Sequence, residues 1–114
     1  MAEKYVGLFR EFFEDFNPDY AKSLPRMADR LSDSPQPHEP KIVEYLNNGG
    51  KLGSMTDGRM IDVFTGETTN VHDSHRSDGE YGWGMGLAYY VEKYHLRLPE
   101  DFVQHILLKS GKQL

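Results

Sequence analysis

Cysteine is absent from the 114 residues. No disulfide braces this chain, no thiolate ligates a metal and no cysteine attacks a substrate. Long apolar runs are also missing, so no segment reads as a membrane-spanning helix. The opening Met1-Ala2-Glu3-Lys4 lacks the basic stretch and apolar core of a secretion signal, which makes the cytoplasm the expected compartment. Positive charge is in short supply: 13 Lys and Arg face 18 Asp and Glu, for a net charge of −5. Residues 31–80 hold 4 basic and 9 acidic groups and so carry the excess. A surface of that sign repels phosphate and argues against nucleic acid as a partner. It attracts a basic protein.

Apolar residues make up 38% of the chain and aromatics 12%, which separates it from disordered sequences. Its length suits one domain, residues 1–114, with a helical part at 1–31, a Pro-rich linker at 32–40 and the remainder at 41–114. Tyr5, Leu8, Phe9, Phe12, Phe13 and Phe16 recur at helical spacing and predict a first helix that ends at Asn17-Pro18. Tyr20, Leu24, Met27 and Leu31 predict a second helix, or two short ones, interrupted at Pro25. A helix over Pro40–Asn47 is expected to stop at Asn48-Gly49-Gly50.

Strands are expected at Lys51–Met55, Met60–Phe64 and Thr68–His72, with Asp57-Gly58 turning the first hairpin. Residues 73–86 read as a polar, Gly-rich loop. A helix of about eleven residues carrying Leu87, Tyr90, Val91 and Tyr94, and another from Pro99 to Gly111, complete the chain. The expected fold is α+β, with about four to five helices packed around a small antiparallel two- or three-stranded β meander. No βαβ alternation suggests a parallel sheet.

His72, Asp73, His75 and Asp78 are the residue types that bind zinc, although His-x-x-His on a loop has no fixed ligand geometry. Ser74 and Ser77 beside them suggest a hydrolase, but no Gly-x-Ser-x-Gly elbow presents a nucleophile. Gly79, Gly82, Gly84 and Gly86 do not follow a dinucleotide or P-loop pattern. Trp83, the one tryptophan, reads as a plug for the core or as a displayed anchor with Tyr81.

Residues 78–105 carry Asp-Gly-x-Tyr-x-Trp, then Leu-x-Tyr-Tyr-Val-Glu, then Leu-Pro-x-x-Phe. Upstream stand Tyr45-Leu46, Gly49-Gly50 and Ile61-Asp62-Val63-Phe64-Thr65-Gly66-Glu67. Over about residues 42–105 this resembles a signature of small bacterial proteins, which have Trp where Tyr81 stands here. In size and character those proteins resemble the antidotes that accompany bacterial toxins. The resemblance lends no catalytic residues and no cofactor.

The expected function is therefore a non-enzymatic, immunity-type domain that binds and blocks a basic toxin domain, as a monomer or weak homodimer. Asp57, Asp62, Glu67, Asp73, Asp78, Glu80, Tyr81 and Trp83 are the candidate contact residues. The alternative is a metal-dependent or hydrolytic enzyme centred on His72, Asp73, His75 and Asp78.

Overall fold

The computed structural model describes residues 4–53 and 58–112, with side chains as far as Lys109. The chain is α+β. Among the described residues, four α-helices accompany a mixed four-stranded sheet and a separate two-stranded one. This corrects the expected meander. The strand β1 (Lys4–Val6) lies parallel to β6 (Tyr81–Gly84), with Lys4 opposite Tyr81 and Val6 opposite Trp83. Next to β6 runs β5 (His75–Ser77), antiparallel, and β2 (Lys51–Leu52) closes the order β1-β6-β5-β2. The second sheet is the hairpin of β3 (Arg59–Ile61) and β4 (Thr68–His72). Thus β2 pairs with β5 and not with β3. The Asp57-Gly58 turn proposed to join β2 to β3 falls partly outside the described residues, as does Asp57 itself.

The first helix does not form. Gly7 sits at φ +101°, a left-handed conformation that ends β1 and that a helix cannot contain. Beyond it there is one 3-10 turn, Arg10–Phe12. The helical spacing of the Phe residues is overridden by pairing with a strand far along the sequence, the kind of context that outweighs local preference. The 18–31 region becomes α1 (Pro18–Ala21) and a 3-10 turn at Met27–Arg30, separated by Pro25. Asn17 caps α1 by accepting from the Tyr20 amide.

Two charged side chains hold this arm. Arg10 donates to the carbonyls of Ala21, Lys22 and Leu24 at 3.2–3.3 Å. The Glu11 carboxylate accepts the amides of Met27 and Ala28 at 2.7 and 2.8 Å. Each supplies partners that such short helical turns leave unsatisfied.

The core lies among α2 (Glu39–Asn48), α3 (Gly86–Tyr94), α4 (Glu100–Lys112) and the larger sheet. Ile42, Leu46, Trp83, Tyr90, Val91, Leu96, Phe102 and Ile106 are fully buried there. The β5–β6 hairpin closes the C-terminus of α2. Trp83 Nε1 donates to the Leu46 carbonyl at 2.8 Å, and Arg76 donates to the carbonyls of Gly49 and Asn48 at 2.8 and 3.2 Å. A cation there also complements the helix dipole. Gly50, at φ +62°, permits this approach: a Cβ at that position would stand 2.2 Å from the Ser77 carbonyl oxygen.

Candidate functional site: two carboxylate nodes and an aromatic cleft

Acidic residues of the middle third divide into two sets. Asp62 belongs to the first and is fully buried. It sits in the β3–β4 loop and accepts hydrogen bonds from the amides of Phe64 and Thr65, at 2.8 and 3.3 Å. Tyr89 and Tyr94 of α3 donate their hydroxyls to its other oxygen, each at 2.7 Å, and Lys93 Nζ stands 3.6 Å away. Burial pushes the carboxyl up, but the two hydroxyls and two amides outweigh it and hold it at about 2. The same contact raises Tyr94, and burial pushes the neighbouring Tyr90 up to about 12. Tyr90 also meets this loop, accepting the Val63 amide at 3.0 Å. Asp62 thus ties the small hairpin to α3.

Asp78 forms the second node. It occupies the β5–β6 turn and accepts the amides of Glu80 and Tyr81 at 2.9 and 2.8 Å through one oxygen. Through the other it accepts from Tyr45 of α2 and His105 of α4, each at 2.5 Å. Burial raises this carboxyl too, and the donors again prevail and hold it at about 2. Burial first, and Asp78 next, push the Tyr45 hydroxyl well above its ordinary range. His105 Nδ1 lies 3.6 Å from Glu80, which also faces Lys109 at 3.5 Å. Two helices and a hairpin therefore meet on one carboxylate. Glu39, also buried, is matched by His95 at 3.0 Å. Among the described residues every buried side-chain nitrogen or oxygen has a hydrogen-bond partner.

The eight candidate contact residues do not make one face. Trp83 is fully buried, Asp62 likewise, and Tyr81 packs under α4 against Phe102 and His105, at 4.8 and 4.6 Å between rings. Asp78 is consumed in its node. Glu67, Asp73 and Glu80 are exposed, and Asp57 lies outside the described residues. Of the four residues of the metal or hydrolase alternative, Asp73 and His75 line one cleft, while His72 and Asp78 face other partners. Arg59 Nη1 stands 2.9 Å from each His72 ring nitrogen, Tyr5 Oη stands 2.6 Å from His75 Nδ1, and Asp78 faces α2 and α4. Among the described residues no three His, Asp or Glu side chains gather as a metal site would need.

A cleft of about 540 Å³ lies between the N-terminal arm and the small hairpin. Leu8, Phe12 and Phe13 form one wall, and Met60, Ile61 and Leu87 the other. No pattern in residues 5–16 pointed to it, because the helix expected there would have turned those rings into the core. The pairing of Tyr5 with Gly82, a contact invisible in local sequence, is what leaves them at a surface.

Among the described residues, no helix is long and apolar enough to cross a membrane. Comparisons with protein-family models, curated proteins and solved structures found no match in any of the three.

Proposed function

We propose that the chain is a non-enzymatic protein-binding domain, an immunity-type antidote that binds and blocks a basic toxin domain. The observation that supports this reading is the charge left outside once the interior is accounted for. Glu39, Asp62 and Asp78 are withdrawn into the fold and matched by donors. Asp33, Glu44, Glu67, Asp73 and Glu80 remain exposed, against exposed Lys41, Lys51 and Arg59 in the same stretch. The middle third therefore keeps a negative surface, which steers a basic partner and speeds encounter. The resemblance to small bacterial proteins, which have the size and character of antidotes, agrees with that role.

The test is co-expression with the products of adjacent genes, followed by association rates measured across ionic strength. The expected result is a complex whose association slows steeply as salt rises, and slows further in Glu44→Lys and Glu67→Lys. A complex whose rate ignores both salt and these substitutions contradicts the electrostatic reading.

A further inference from the structure

Among the asparagines, Asn48 alone precedes glycine; Asn17 precedes proline, Asn47 precedes Asn48 and Asn70 precedes valine. Asparagine is a labile residue, and glycine, having no side chain, offers the least hindered following nitrogen. The Gly49 nitrogen, giving up its proton, can attack the side-chain carbonyl carbon of Asn48. The Cγ–Nδ2 bond then breaks, ammonia leaves with that proton, and a cyclic imide forms. Water opens the imide at either carbonyl and leaves aspartate or isoaspartate.

Burial does not protect Asn48, which is exposed at the last position of α2. Hydrogen bonds do. The Gly49 amide, the nucleophile of that reaction, donates to the Tyr45 carbonyl at 2.6 Å, and Gly49 is buried. Asn48 Nδ2 is drawn back along the helix to the Glu44 carbonyl, at 3.2 Å. Arg76 of β5 fixes the same peptide from the other side through the Asn48 and Gly49 carbonyls. The Tyr45 ring leaves Gly49 so little room that a Cβ there would stand 2.9 Å from it. Each contact opposes the rotation that would carry the nitrogen to Cγ. They fail together when the β5–β6 hairpin lifts and the last turn of α2 frays.

We propose that Asn48-Gly49 is a self-modification site gated by the β5–β6 hairpin. Closed, the pair is inert; open, Asn48 loses its amide. Isoaspartate does not fit back, because it lengthens the main chain between the Leu46 carbonyl, held by Trp83, and Gly50, which is pressed against Ser77. Conversion therefore records past opening of the hairpin, whatever partner the domain binds.

The full chain is incubated folded and in urea, and mass spectrometry of digests reads the amide-to-acid change at each asparagine. Asn48 is expected to convert at least about tenfold more slowly in the folded chain. Arg76→Gln, which removes the charged fork, is expected to raise the folded rate about tenfold. Arg76→Lys keeps the charge but cannot bridge both carbonyls, and is expected to raise it less. Glu11→Ala loosens the distant arm and is expected to leave the rate unchanged. Equal conversion in folded and unfolded chains overturns the gate. So does a wild-type rate in Arg76→Gln, or a rise in Glu11→Ala as large as in Arg76→Gln, which would place control in global unfolding. Should Arg76→Gln not fold, Arg76→Lys carries the same comparison, and a wild-type rate there overturns the gate.

Discussion

The arm of residues 4–31 and the body of residues 39–109 solve the same problem by different means. In the body, helices α2, α3 and α4 are long enough to bury one face each, and two ionised carboxylates tie them to hairpins. In the arm, no helical piece exceeds 4 residues, and Arg10 and Glu11 satisfy the backbone ends directly. The body turns its aromatics inward except Phe64. The arm leaves Tyr5, Phe16 and Tyr20 exposed. The difference teaches that buried charge ties separate elements to one another where helices are long, and closes backbone ends directly where they are short.

Substitutions break this comparison in order of size. Trp83→Ala removes the largest buried side chain of the body and strips Leu46 of its donor; a loss of about 4 kcal/mol is expected in urea denaturation. Trp83→Phe keeps the ring and loses the N–H, for about 1–2 kcal/mol. Asp62→Ala leaves two tyrosine hydroxyls and two amides without their acceptor, for about 3 kcal/mol, whereas Glu67→Ala in the same loop changes stability by under about 0.5 kcal/mol. Similar losses for the two would erase the distinction between internal and external acids. Glu11→Ala unties the arm and costs about 1 kcal/mol. Hydrogen exchange should then quicken at Met27 and Ala28 while the amides of α3 keep their protection.

Legibility in the sequence follows the same divide. The helix expected at Pro40–Asn47 is observed at Glu39–Asn48, the one of about eleven residues expected to carry Leu87, Tyr90, Val91 and Tyr94 is the shorter Gly86–Tyr94, and that expected at Pro99–Gly111 is Glu100–Lys112. Their periodicity, prolines and acids are local signals. The arm misled because its Phe spacing is helical while Gly7 and the partner strand at Tyr81–Gly84 decide otherwise. One miss was avoidable: Asp78-Gly79 is the same turn signal as Asp57-Gly58, and it turns the β5–β6 hairpin where a loop was expected. The structural use of Asp62 could not be read locally, because Tyr89 and Tyr94 reach it from another element. Two tyrosines beside the apolar face of α3 were the only hint. The cleft left no trace in the sequence, since it exists only once the helix expected over Tyr5–Phe16 is replaced by a strand and a turn.

The interior use of two aspartates is open to direct measurement. Both carboxyls are held at about 2, so the stabilisation they give is present above the ordinary aspartate range near 3.9 and is lost as pH falls through 2. An NMR titration of the Asp62 and Asp78 side-chain carboxyl carbons should find both still ionised at pH 3, with protonation coinciding with acid unfolding. Midpoints at or above 4, reached while the protein stays folded, would contradict the account.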